Sequence, residues 1–226
     1  MTQIDVAGLC ASTVDILSLV DHLPAEDENL RALDITMQGG GPVATAMVTL
    51  ARLGASAAMM DTIGDDWRGA RIREEFQQEG VDVRYLKVGK GWTSPTSCIL
   101  VKKDNGARSI VWSPGSAPEL SSADVDRAVI ESAKILHVNG RHWDACMEAV
   151  RIAREAGVRV SFDGGANRYR LQLEELVPLT DICIVARDFA ERYTHETDLG
   201  KAAEILKGRP EEVVAKLTDI IQKKKG

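Results

Sequence analysis

A glycine-rich turn that opens a helix sets the strongest constraint on this chain. Gly39-Gly40-Gly41-Pro42 leads into Ala51-Arg52-Leu53-Gly54, and Gly64-Asp65-Asp66 follows ten residues after Gly54. Three successive glycines leave the backbone bare, so a small ligand can press directly against it. Pro42 pre-sets the first turn of a helix whose unpaired N–H groups face that ligand. The pattern predicts a helix from Pro42 to Leu53 stopped by Gly54, and a buried strand over Ala55–Met60. A second helix is predicted over Asp66–Glu79, closed by Gly80.

Ile4–Cys10 is a short apolar run suited to a buried strand. Leu17–Val20 and Leu30–Met37 mix polar and apolar residues, as strands with one wet face do. Thr96–Lys102 and Arg108–Trp112 are β-rich and flank Lys103-Asp104-Asn105-Gly106-Ala107, a hairpin signal. Ser121-Ser122-Ala123-Asp124 marks a helix start. Strand and helix patterns then alternate over Ile135–Asn139, His142–Ala156, Val158–Asp163, Leu171–Leu176 and Ile182–Ala186. Such alternation predicts a three-layer α/β sandwich with a mostly parallel sheet. After Gly208-Arg209-Pro210, residues Val213, Val214, Leu217, Ile220 and Ile221 make a stripe at helical spacing. Glu211 and Glu212 at its start and Lys223–Lys225 at its end match a helix dipole. The reading is an α/β domain over 1–206 and an amphipathic helix within 207–226, packed on the domain or on an oligomer partner.

With 226 residues, 44% of them apolar, the chain can bury a substantial core. A net charge of −6 argues against a nucleic-acid footprint, and no run approaches the ~20 apolar residues of a membrane span. Met1-Thr2-Gln3-Ile4-Asp5 has no basic stretch before an apolar core, so no secretory signal is read and a cytoplasmic location is expected. Cys10, Cys98, Cys146 and Cys183 form no Cys-x-x-Cys pair and read as buried free thiols in a reducing cytoplasm.

Ligands of open parallel sheets bind at the carboxyl ends of the strands. Four features should collect there: Asp15 after the first strand, the Gly39–Gly41 loop, Asn139-Gly140, and Asp163-Gly164-Gly165. Carboxylates and bare backbone amides suit sugar hydroxyls, which donate and accept together. The run from Gly39 to Asp66 resembles the first signature of the ribokinase family, the phosphofructokinase-B type carbohydrate kinases, and the resemblance extends over about residues 1–206. It implies an ATP- and Mg²⁺-dependent transfer of phosphate to a ribose- or fructose-like sugar. By that resemblance Asp15 grips sugar hydroxyls, Gly39, Gly40 and Gly41 lie against the sugar, and Thr45 stands where the family usually has asparagine. Segments 12–38 and 92–115 correspond to the family's small β-lid. Arg108 on that lid could reach the ligand, and a second copy could pair through it. Asn139 and Asp163 fall on the phosphate and Mg²⁺ side.

Two departures shape the expectation. The family's Asn-x-x-Glu positions read Ala186 and Phe189, and no Gly-Ala-Gly-Asp run, which carries the family's catalytic base and anion hole, occurs in the sequence. The chain is therefore expected to bind a sugar without phosphorylating it at a useful rate. One alternative is a non-catalytic sugar-binding or interaction protein. Another is a dinucleotide-binding oxidoreductase, because Gly39-x-Gly41-x-x-Ala44 and Asp61 fit a loose ribose-binding fingerprint. A Walker-type P-loop is excluded by sequence.

Overall fold

The computed structural model describes residues 3–207 and 212–216. Its first half contains β1 (Ile4–Leu9), β2 (Thr13–Val20), β3 (Asp34–Gly40), α1 (Pro42–Arg52), β4 (Ala57–Gly64), α2 (Trp67–Gln78), β5 (Leu86–Gly89), β6 (Thr96–Lys102) and β7 (Arg108–Ser113). The second half contains α3 (Arg127–Glu131), β8 (Ala133–Val138), α4 (Trp143–Glu155), β9 (Arg159–Gly164), α5 (Leu173–Leu176), β10 (Ile182–Ala186), α6 (Arg187–Thr194), α7 (Leu199–Lys207) and β11 (Glu212–Lys216).

Seven strands form one sheet in the order β11-β10-β9-β8-β1-β4-β5, and every pairing in it is parallel. Side chains on its central strands alternate between two cores. Val6 of β1 and Ala57 and Met59 of β4 pack with Val43 and Met47 of α1 and Ile72 and Phe76 of α2. Ala7, Leu9, Ala58 and Met60 pack on the other face with α4, α6 and α7 through Ala149, Phe189 and Ala202. Burial on both faces explains why these strands read as continuous apolar runs. The fold is thus α/β with a parallel sheet, as the alternation predicts, and no helix among the described residues is long and apolar enough to cross a membrane.

Four strands make a second, smaller sheet in the order β3-β2-β6-β7. β2 pairs antiparallel with β3 and parallel with β6, and β6–β7 is the hairpin expected around Asp104-Asn105-Gly106. The Asp66 side chain accepts from the Gly69 N–H at 3.1 Å, so this residue caps α2 rather than beginning it.

Other local expectations are corrected as well: Cys98, expected as a buried thiol, is exposed on β6, while Cys10, Cys146 and Cys183 are buried. Ser122–Asp124 forms only a 3₁₀ turn, and the helix proper waits for the Asp126 cap, whose carboxylate accepts from the Ala128 and Val129 amides. Leu86–Gly89 adds an edge strand that the sequence reading left out. In place of the amphipathic helix predicted from Glu211, Glu212–Lys216 is β11, in register from Ile182↔Glu212 to Ala186↔Lys216. The open edge of β10 offers a ladder of unpaired N–H and C=O groups, and β-branched Val213 and Val214 suit a strand. Helical spacing at those two positions therefore lost to pairing. The rest of that predicted helix, 217–225, lies outside the described residues.

Candidate functional site

Parallel pairing puts the carboxyl ends of the large sheet's strands on one edge. One residue beyond the matched positions Leu9↔Met60, Leu9↔Val138 and Val138↔Phe162 stand Asp61, Cys10, Asn139 and Asp163, in one row across four strands. Asn139 donates from Nδ2 to Cys10 Sγ at 3.3 Å and accepts the Arg141 N–H at 3.1 Å. Burial pushes the Cys10 thiol up to about 12, with the charge of Asp61 adding to it. Cys10 is therefore a protonated filler rather than a nucleophile.

Asp61 is fully buried, yet it is well solvated by protein. Its carboxylate accepts from the Ser12 N–H at 2.6 Å, from the Thr62 N–H at 2.6 Å and from His142 Nε2 at 2.8 Å. The Leu120 N–H donates to His142 Nδ1 at 3.2 Å, so that nitrogen is the acceptor and Nε2 carries the proton. His142 holds this geometry in the left-handed region, φ 54°, as the residue before α4. The pair fastens Ser12, where the chain leaves the large sheet for the small one, to the loop before α3 and to the start of α4.

At that exit the predicted loop residues divide. A Cβ on Gly40 would stand 2.1 Å from Asp15 Oδ2, so the missing side chain is what lets the Asp15 carboxylate lie on the backbone. Thr13 Oγ1 donates to Asp15 Oδ1 at 2.7 Å. Gly41 has φ 101°, and a Cβ there would meet the Ala11 carbonyl at 2.8 Å. Its bareness thus serves the turn and a backbone crossing. Gly39 donates its N–H to both oxygens of Glu75, at 3.0 and 2.9 Å, which ties β3 to α2. Thr45 is exposed on α1. A cleft of about 230 Å³ runs past Thr13, Gly39, Gly40 and Thr45 towards Arg52 and Glu75.

Register in the small sheet aligns Gln38, Asp15, Ser97 and Trp112 on one face. The Arg141 guanidinium, from the large sheet's edge, lies over the Trp112 ring at 5.9 Å. The Arg141–Trp112 contact thus sets the segment after β8 against the face of the small sheet that carries Asp15. Arg108 shares the Trp112 face but sits four residues along β7, about 13 Å away. The structure brings Asp15, Gly40 and Gly41 together, and Asn139 with Asp163; it does not bring Arg108 to Asp15.

The dinucleotide arrangement is not formed. β3, which leads into the glycine loop, pairs antiparallel in the small sheet, and Asp61 is committed to Ser12, Thr62 and His142. The two positions that correspond to the Asn-x-x-Glu pair carry no polar side chain. Ala186 is buried, and Phe189 is fully buried against Phe162, Tyr169 and Tyr193. Among the described residues no three His, Cys, Asp or Glu side chains converge to hold a metal ion.

Comparison with known proteins agrees with this geometry. The model of the pfkB family carbohydrate kinases matches residues 1–224. Ketohexokinase from Mus musculus is 28% identical over 193 residues, covering 81% of this chain and 64% of that protein. Ribokinase from the same organism is 30% identical over 217 residues, covering 92% of this chain and 66% of that protein. The chain thus spans somewhat less than two thirds of the length of these relatives. Among solved structures, Arabidopsis thaliana ribokinase complexed with ribose and ATP superposes with a TM-score of 0.76 at 21% identity, over 96% of this chain and 72% of that one.

Proposed function

The chain belongs to the pfkB family of carbohydrate kinases, and from that premise we propose that its residues bind a ribose- or fructose-like sugar in the seam between the two sheets. The observation that carries this reading is the Asp15 carboxylate, laid against bare Gly40 and braced by the Thr13 hydroxyl at 2.7 Å. A half-buried carboxylate beside open backbone can accept from adjacent sugar hydroxyls while the amides of the α1 start donate to their oxygens. The family relatives named for ketohexose and ribose supply the substrate class. Phosphate transfer from ATP is the family reaction, and this chain is proposed to perform it poorly, because Ala186 and Phe189 replace the groups that would organise it.

Calorimetric titration with ribose and fructose tests the binding. Asp15→Ala removes charge-assisted hydrogen bonds and should weaken the better ligand by roughly ten- to a hundredfold, with the far-UV circular dichroism unchanged. Equal affinity in the folded variant would remove Asp15 from the site.

The partner proposed for the small sheet is a second copy of the chain. Met37 and Val111 lie in one register row with Ile16 and Cys98, and Ile35, Met37 and Val111 are exposed on that face at 63%, 45% and 75%. Contiguous apolar exposure of this kind marks contact surfaces. Sedimentation velocity should report a dimer that Val111→Asp converts to monomer; a monomeric parent chain would count against it.

A further inference from the structure

Resting on the sugar-binding reading, we infer that His142 is a proton-sensitive hinge post for the small sheet. While neutral it holds the sugar site in shape, and when protonated it lets the site loosen. The chain enters the small sheet through Ser12, between β1 and β2, and returns after β7 through Leu120 towards α3. One side-chain pair fastens both crossings. The Ser12 N–H donates to Asp61 at 2.6 Å and the Leu120 N–H donates to His142 Nδ1 at 3.2 Å. Asp61 and His142 are joined to each other at 2.8 Å, and both are buried. The returning segment also holds the entry to β6. The Thr93 N–H donates to Ser116 Oγ and the Ser116 N–H to Thr93 Oγ1, each at 3.0 Å. A shift at Leu120 is thus passed to β6, which pairs with the strand that carries Asp15.

Both ring nitrogens of His142 are committed. Nε2–H faces the Asp61 carboxylate and Nδ1 accepts from Leu120, so the formed clamp requires a neutral imidazole. A second proton can be added only at Nδ1, where it meets the Leu120 N–H. Two donors then point at each other and that bond is lost. Asp61 balances the new positive charge, so the imidazolium keeps its place and the Leu120 amide gives way. The other ionisable groups around the pair do not supply this switch. Burial pushes the Cys10 and Cys146 thiols up to about 12, and the Cys146 N–H donates to the His142 carbonyl at 2.7 Å. Glu119, on the returning segment, accepts the Trp143 N–H at 3.2 Å, and Asp144 lies in the first turn of α4. Asp124, in the 3₁₀ turn beside α4, is paired with Lys87. Arg141 lies over Trp112 and Arg170 donates to the Gly140 carbonyl, and both keep their charge throughout. Histidine is the side chain that changes charge between about pH 5 and 8. Sugar affinity is therefore full while His142 is neutral and falls as acidification protonates it.

The experiment titrates the 226-residue chain with ribose and with fructose by calorimetry, from about pH 8 down to about pH 5. The parent is compared with His142→Gln, whose side chain takes up no proton. In the parent the better sugar should weaken at least roughly tenfold over that range, because affinity scales with the neutral fraction. His142→Gln should lose this slope. Linkage also requires the sugar to act back on the proton. Nitrogen NMR of the imidazoles should show His142 as the Nε2–H tautomer at the alkaline end, with its protonation pushed to lower pH by saturating sugar. That measurement uses the parent alone, so it decides the matter should His142→Gln fail to fold. An affinity that stays level with pH in the parent would overturn the proposal. So would a slope that survives in His142→Gln, which would move the effect to a carboxylate such as Asp15. Absence of binding by both sugars at every pH would overturn the sugar-binding reading instead. Hydrogen exchange then decides the hinge: protection of the Leu120 amide should fall on acidification, and unchanged protection would overturn it.

Discussion

Asp61→Ala should destabilise the fold by about 3–5 kcal/mol, more than any other single substitution considered. The carboxylate is fully buried and accepts three hydrogen bonds, from Ser12, Thr62 and His142. Alanine removes the acceptors and leaves the donors in place, and a buried donor without a partner costs about 1–3 kcal/mol. The expected sum is below three full penalties, because losses within one hydrogen-bond network do not add. Asp61→Asn should cost less, since one oxygen remains, although its amide nitrogen then faces another donor. His142→Gln should cost less again, with the Ser12 bond intact. Urea midpoints at constant slope measure all three. A loss below about 1 kcal/mol for Asp61→Ala would show that the network adds little to holding the sheets together. The same variant should also weaken sugar binding, because Ser12 sets where the chain leaves β1 for Thr13 and Asp15.

Asp61 also shows what a linear reading could reach. Its position twenty residues past Gly41 matched a ribose-binding acid, and only the distances to Ser12 and His142 reveal a structural clamp. His142 lies 81 residues away, and nothing in local pattern pairs the two. The central strands were legible because burial on both faces writes an apolar run into the sequence. The hairpin over residues 103–107 was legible because Asn-Gly chemistry belongs to tight turns. β11 was not: Val213 and Val214 satisfy helical spacing and strand preference alike, and the open edge of β10 decided between them. Likewise the glycine loop was found, but not the division of labour within it. Gly39 answers to Glu75, Gly40 to Asp15 and Gly41 to the Ala11 carbonyl, and each partner comes from a different element. Arg141 on Trp112 joins two segments that belong to separate sheets, so it too appears only in three dimensions.

Given ATP, Mg²⁺ and a panel of simple sugars, the chain should release ADP at no more than about 10⁻² s⁻¹. Kinases ordinarily turn over at ~1–100 s⁻¹. A positioned general base contributes ~10²–10⁴-fold, and preorganised anion-hole donors a further ~10²–10³-fold. The family's Gly-Ala-Gly-Asp run, which supplies both, occurs nowhere in the 226 residues, and Phe189 fills with core the place of a phosphate-side carboxylate. Even the smaller factors together bring a fast kinase down by about 10⁴. Sugar binding should persist meanwhile, since Asp15, Gly40 and Thr13 do not depend on those groups. A coupled ADP-release assay beside the calorimetric titration reads both quantities on one preparation. Sugar affinity with turnover at the floor is the expected pair of results. Turnover above about one per second would mean that a carboxylate already in place acts as the base. Asp163, buried at the end of β9 in the row with Asn139, would then be the residue to change, and Asp163→Asn should abolish the activity if it carries the proton.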